Sequence, residues 1–279
     1  MSTTDIRISD VTVGDLRIQY RELGEGPPVL LVHGWPTSSF LWRNIMPAIA
    51  THCRVLAIDM PGFGGSDKPV DCDYDEDFFN AAFDGFIDAL GIDEPIGLAV
   101  HDAGGPFALY WASQRPQVLS KLAILNTIVY PEMSLPERAF MAACRTPGMG
   151  AIISSQWALR QTMRYGVKDS KRLGPEVYEG VTSPFRDRQS RKALMKSLAD
   201  FNEPVLETIA QWVPTLDIPV TIIRGAADRI LPRMDRTAGR LQTDLPQATA
   251  HTLEDCGHFL QEERPEKVGQ LLADFYAPD

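Results

Sequence analysis

The chain has 279 residues, 44% of them hydrophobic, with 27 Lys and Arg against 37 Asp and Glu for a net charge of −10. That length allows one large α/β domain carrying an insertion, or two modest domains. An acidic surface disfavours nonspecific binding to nucleic acid or to anionic membrane, so neither is expected as a partner.

Residues Ile6 to Leu23 alternate apolar and polar side chains around a turn at Val13, Gly14 and Asp15, the pattern of an antiparallel hairpin. The character then changes. Pro28 to Val32, Arg54 to Ile58, Ile96 to Val100, Lys121 to Leu125 and Pro219 to Ile223 are continuous apolar runs, as expected of parallel strands covered on both faces. A weaker strand is expected at Ala248 to Leu253, and helices at Phe40–Ala50, Asp75–Leu90, Pro106–Gln114 and Pro265–Tyr276. Alternation of this kind predicts a mostly parallel, eight-stranded α/β sheet with helices on both faces. From Val129 to about Pro214 no parallel strand is evident, and Arg138–Cys144, Gln156–Tyr165 and Arg188–Leu198 read as helices. The expected organisation is a core of residues 1–128 and 215–279, with a helical cap, 129–214, inserted after the sixth strand.

The run from Ile96 to Gly105 is a strand, a small-residue turn and the start of a helix, with Asp102 at the tip. This is the pattern of a nucleophile elbow, in which the tip residue is usually serine. A carboxylate there attacks electrophilic carbon and becomes an alkyl ester. Taken alone, Asp102 just ahead of Ala103-Gly104-Gly105 also suits a helix cap. The order of the remaining parts favours the nucleophile, because an elbow, a later acid and a final histidine form the triad order of the α/β-hydrolase fold. His258 lies in Asp255-Cys256-Gly257-His258-Phe259 after the last strand and is the expected base. Asp228, ending Arg224-Gly225-Ala226-Ala227-Asp228, is the expected orienting acid. Backbone donors for an oxyanion are expected from Trp35 and Ala103. His33 reads as structural, and Gly62, Gly64 and Gly65 as a backbone turn, since they lack the lysine of a phosphate loop.

Three segments carry a closer resemblance: His33-Gly34-Trp35-Pro36-Thr37-Ser38-Ser39-Phe40-Leu41-Trp42-Arg43-Asn44, Asp59-Met60-Pro61-Gly62-Phe63-Gly64-Gly65-Ser66-Asp67-Lys68-Pro69, and His101-Asp102. They resemble the branch of the α/β-hydrolase fold shared by haloalkane dehalogenases, fluoroacetate dehalogenases and epoxide hydrolases, and the first two look most like haloalkane dehalogenases. The resemblance implies a hydrolase acting on a small, apolar electrophile with water, needing no cofactor and no metal. Asp102 would displace the leaving group, and water activated by His258 would cleave the ester.

Departures from the family pattern sharpen that expectation. Haloalkane dehalogenases usually carry Trp directly after the nucleophile to hold the halide, and this chain has Ala103. Trp35, Trp157 and Trp212 are the candidate replacements. Some dehalogenases place the acid after the sixth strand, where Asn126 stands here, so the acid role falls to Asp228. Epoxide hydrolases protonate the opening ring with two cap tyrosines; Tyr130, Tyr165 and Tyr178 are available, but none follows Arg188 within the cap. The arginines that grip fluoroacetate are missing after Asp102, which argues against a small haloacid. Alternatives are therefore an epoxide hydrolase, a natural-product hydrolase of the same branch, or a low-turnover ligand-binding homologue.

The cysteines Cys53, Cys72, Cys144 and Cys256 are scattered without a C-x-x-C pair, which suggests neither a zinc site nor a disulfide framework. The polar first ten residues lack an apolar core, and no apolar stretch approaches the roughly 18 residues of a membrane span. A cytoplasmic monomer or homodimer is the expectation.

Overall fold

The computed structural model describes residues 6–115 and 117–278. Its centre is an eight-stranded sheet in the order β1-β2-β4-β3-β5-β6-β7-β8. Strands β1 (Arg7–Val13) and β2 (Leu16–Leu23) form the antiparallel hairpin, and β2 pairs antiparallel with β4 (Arg54–Ile58). From there β3 (Pro28–Val32), β5 (Ile96–Asp102), β6 (Leu119–Thr127), β7 (Val220–Gly225) and β8 (Thr249–Leu253) are parallel. Every residue of β3 and β5 is buried, which is why those runs carry no polar alternation.

Two apolar layers cover the sheet. On one face α2 (Glu76–Ala89) and α3 (Gly104–Ser113) pack together through Phe79, Phe83, Phe107 and Trp111. Trp111 also donates its indole N–H to Asp84 at 2.8 Å. On the other face a short α1 (Met46–Ile49) packs against the final helix of the chain, where Trp42, Ile45, Val268 and Leu272 are fully buried.

The helix expected at Phe40–Ala50 is instead a 3₁₀ turn at Ser39–Trp42 followed by α1. Pro47 is the cause: it has no N–H to donate, so it fits only the first turn of a new helix.

Between β6 and β7 the regular elements are helical: α4 (Leu135–Arg145), α5 (Met149–Ile153), α6 (Gln156–Gly166), α7 (Pro175–Thr182), α8 (Arg188–Ala199) and α9 (Val205–Trp212). Ser134 and Glu137 start α4 with a reciprocal capping box, and Asp187 caps α8 through the Ser190 N–H. Helix α9 packs along α3 in the core layer, so the roof over the strand ends consists of α4 to α8. After β7 come α10 (Met234–Asp244), a single turn α11 (Leu260–Glu263) and α12 (Pro265–Tyr276). No helix among the described residues is long and apolar enough to cross a membrane.

Candidate functional site

The carboxyl ends of β5, β6 and β7 meet beneath the roof. Asp102 ends β5 with φ of +51°, a left-handed conformation that a non-glycine residue rarely holds. The backbone around it is closely packed. A side chain at Gly34 would overlap the Asp102 side chain, and one at Gly104 would overlap the carbonyl of His33. The Thr127 hydroxyl donates to the Asp102 carbonyl at 2.5 Å and fixes the turn from the neighbouring strand.

Opposite the elbow, β6 skips a residue. His101 pairs with Leu125 and Asp102 with Thr127, which leaves Asn126 bulged out of the ladder with φ of +30°. Its freed amide joins two loops. Oδ1 accepts from the Gly225 N–H at 3.1 Å, and Nδ2 donates to the carbonyls of Gly257 and His258 at 3.0 and 3.1 Å. Asn126 therefore holds the loops bearing Asp228 and His258 in mutual register.

Those loops bring the three side chains together. The buried His258 ring lies with Nδ1 2.8 Å from Asp228 Oδ2 and Nε2 3.3 Å from Asp102 Oδ1. Asp228 Oδ1 accepts from the amides of Ile230 and Leu231 at 2.8 and 2.9 Å, so both of its oxygens are committed. Asp102 Oδ2 accepts the Trp35 backbone N–H at 2.8 Å, and the Ala103 backbone N–H also stabilises the carboxylate. One oxygen of Asp102 is thus held by the Trp35 amide while the other faces His258.

Charge follows this geometry. Burial works against a charged His258, but Asp228 and Asp102 outweigh it and push the ring up to about 10. Burial likewise opposes the Asp102 carboxylate, yet the contact with His258 holds it below its ordinary value. His101 behaves oppositely: burial, then the neighbouring His258 charge, push it down to about 4. It is a neutral ring whose Nε2 lies 3.0 Å from the His258 carbonyl, which assigns that nitrogen the proton.

Beside Asp102 lies a cavity of about 400 Å³, within the usual range for small-molecule sites. Trp35 and Ala103 line its floor; Phe140, Met141, Gln161 and Tyr165 descend from the roof. Trp35 meets Phe140 edge to face at 5.2 Å, and its buried indole N–H has no partner among the described residues. Such a donor is costly to leave unpaired. Trp157 points elsewhere, being 70% exposed on the outer surface. Trp212 packs on the core cluster at the end of α9, and Tyr178 on the opposite cluster, so neither lines the cavity. The Tyr130 hydroxyl donates to Asp244 at 2.7 Å. Among the described residues no group of three or more His, Cys, Asp and Glu is placed to hold a metal ion.

The segments that carry the resemblance lock together around the site. Asp59 accepts from Ser39 and Gly65 amides, both at 2.6 Å, and His33 Nε2 accepts from the Met60 N–H at 3.1 Å. Arg43 forms a two-pronged ion pair with Glu262 at 2.6 and 3.0 Å, joining the segment after Trp35 to the turn after His258.

A family model described as the alpha/beta hydrolase fold matches residues 27–265. The chain belongs to that family. Within it, the chain is 31% identical to a haloalkane dehalogenase of Agrobacterium fabrum, over 94% of this chain and 89% of the relative. A soluble epoxide hydrolase of Corynebacterium sp. is 26% identical over 99% of each chain. Among solved structures, the haloalkane dehalogenase DatA from Agrobacterium tumefaciens superposes with a TM-score of 0.84 at 28% identity, covering 97% of this chain and 96% of its own. This alpha/beta hydrolase is thus similar to dehalogenases in sheet, flanking helices and topology together.

Three placements lay beyond sequence reasoning. Asn126 was legible only as an uncharged substitute for an acid, not as a tie between loops. His101 stood out only as the residue before the elbow. Glu263, whose buried carboxylate accepts from the Gly257 and Lys168 amides, follows the visible Cys-Gly-His run, but nothing in a Glu-Glu-Arg-Pro sequence separates a buried glutamate from a solvated one.

Proposed function

We propose that this alpha/beta hydrolase cleaves a carbon–halogen bond in a small haloalkane-like substrate through a covalent ester on Asp102. The observation that carries the reading is the division of labour between the two Asp102 oxygens. Oδ2 rests on the Trp35 amide, the Ala103 amide also stabilises the carboxylate, and Oδ1 faces His258 at 3.3 Å. In the first step Oδ1 attacks carbon and the halide leaves with the bonding pair. In the second, water attacks the ester carbonyl carbon while His258 Nε2 takes its proton. The charge that develops on Oδ2 falls on amides already in place. Collapse releases the alcohol, restores the Asp102 carboxylate and sends one proton to solvent with the halide.

Ester formation also prepares the base. A charged His258 cannot accept a proton from water, and it holds its charge because two carboxylates face it. Alkylation neutralises one of them. The ring pKa then falls and the proton becomes releasable, so the base is armed only once there is an ester to cleave.

Trp35 supports a halide as the leaving group, since the residue lines the cavity and its buried indole N–H lacks an acceptor among the described residues. Four free cysteines support a reducing, cytoplasmic setting. A second reading, epoxide hydrolysis, is favoured by Tyr165, a phenol on the cavity wall able to protonate an opening ring. Intact-mass analysis of His258→Phe, incubated with haloalkanes and epoxides, tests both. Haloalkanes should add the alkyl fragment to Asp102 with release of halide, and epoxides should add their whole mass under the second reading. No adduct with any electrophile, while wild type turns over a carboxylic ester, would overturn both.

A further inference from the structure

The net charge of −10 conceals a local reversal. Residues 134–166, which hold α4, α5 and α6, carry four arginines and one glutamate. Of these, Arg138, Arg160 and Arg164 are exposed and make no ion pair among the described residues, while the Glu137 carboxylate is engaged by the Ser134 N–H in its capping box.

The same stretch gathers the exposed apolar side chains. Apart from Ile8, the large hydrophobic residues most exposed on the described surface are Leu135, Phe140, Met149, Ile152, Trp157 and Tyr165. Leu135 is 81% exposed, Trp157 70% and Ile152 59%. Helix α5 packs against both α4 and α6, so these side chains stand on three adjoining helices of the roof. Phe140 and Tyr165 are among them and also line the cavity beside Asp102. An apolar face of this extent on a soluble protein marks an interaction site.

From this face we propose that α4, α5 and α6 dock on an anionic lipid surface and admit lipophilic substrate past Phe140 and Tyr165. Charge selects the partner. A two-fold contact with a second copy would set this patch against itself, arginine against arginine, with no free acid to pair them. An anionic bilayer offers headgroups to the arginines and acyl chains to Ile152 and Leu135, while Trp and Tyr suit the boundary between the two. The docking is independent of the chemistry at Asp102. Only the nature of the molecule delivered rests on the proposed reaction.

The test is flotation of the full chain with vesicles of phosphatidylcholine alone or mixed equally with phosphatidylglycerol. Binding is expected to the mixed vesicles and to weaken with added salt. Ile152→Glu and Arg160→Glu, both at exposed positions, should each weaken it by about fivefold or more with unchanged melting temperature. Turnover of a long-chain bromoalkane carried in mixed vesicles should fall in parallel, while turnover of a short, water-soluble one stays at the wild-type rate. Absence of flotation with either vesicle, or flotation indifferent to both substitutions, would overturn the proposal. So would a concentration-dependent dimer that Ile152→Glu dissociates, because a second copy would then cover the face. Flotation needs no turnover, so its failure is distinct from a failure to trap an ester on Asp102.

Discussion

The backbone N–H of His258 donates to the carbonyl of Gly166 at 2.6 Å, which joins the proposed base to the last residue of α6. A second link runs beside it. The buried Glu263 carboxylate accepts from the Gly257 amide at 2.5 Å through Oε2, and from the Lys168 and Asp169 amides at 2.9 and 3.1 Å through Oε1. The loop carrying the base is therefore fastened to the roof on both sides of its peptide, and the wall of the cavity and the histidine share one support.

Glu263→Ala should loosen that support without touching the cavity. The buried Gly257 amide would lose its acceptor, at about 1–3 kcal/mol if left unsatisfied, and the part-buried Lys168 and Asp169 amides would turn to water. The expected outcome is a melting temperature lower by several degrees, with ester hydrolysis slowed more than ester formation. Glu263→Gln should recover part of the stability, since one amide oxygen remains to accept, while its NH₂ opposes the other donors. Stopped-flow separation of the two steps checks this; equal slowing of both would assign Glu263 a purely structural role.

Titration of the His258 ring provides a test of the arming step. In the resting protein the ring is pushed up to about 10, against burial, by the two carboxylates beside its nitrogens. Asp102→Asn imitates the ester by removing one negative charge at nearly constant shape. The ring pKa should fall by about 1–3 units, measured by NMR on the labelled histidine. The linkage to stability has a definite sign. Because the folded value lies above the ordinary 6.5, the contribution is complete below 6.5 and is lost as pH rises towards 10. The variant should lose much of that alkaline slope; an unchanged ring pKa would sink the arming argument.

Much of this was readable in the sequence because the strands around the site are buried on both faces, and burial writes itself as unbroken apolar runs such as Pro28–Val32. The expected eight-stranded, mostly parallel sheet follows from those runs and from the turns between them. The short Gly-rich turns beside Asp102 were equally legible, since a close backbone approach admits little else. What escaped notice depends on contacts far apart in the chain. Whether Trp157 or Trp212 faces the cavity is decided by how α6 and α9 rotate and dock, and both sit on amphipathic helices. Likewise α9 reads as part of the inserted segment, yet its apolar face belongs against α3. The local charge reversal of residues 134–166 was present in the sequence but averaged away by the acidic remainder.

Asp228→Asn should separate the two steps of the reaction. Both Asp228 oxygens are spoken for, one by His258 and one by the Ile230 and Leu231 amides, so the substitution keeps most of the loop contacts while removing charge. The histidine then loses the partner that stabilises its cation as water is deprotonated. Ester hydrolysis is expected to slow by about 10²–10⁴, the usual scale of general-base assistance, with alkylation much less affected. Ester should accumulate on Asp102 during turnover of a bromoalkane and be visible by intact mass. A variant as fast as wild type would mean that another group orients His258.

Trp35 contributes two donors of different purpose, and they can be parted. Its backbone N–H holds Asp102 Oδ2 at 2.8 Å, whereas its indole N–H is buried without a partner among the described residues. Trp35→Phe removes only the second, and the aromatic edge that meets Phe140 is largely kept. With Ala103 next to the nucleophile, no second indole is present there to compensate. Halide departure should therefore slow by about 10², the effect of losing one preorganised donor, while hydrolysis of the ester once formed proceeds at the wild-type rate. Rapid-quench kinetics with matched chloro- and bromoalkanes resolves the two steps. The loss should be larger for chloride, whose more concentrated charge demands more from a hydrogen bond. Equal rates for wild type and Trp35→Phe would show that the orphaned N–H plays no part in expelling the halide and would shift the balance towards a ring-opening reaction at Tyr165.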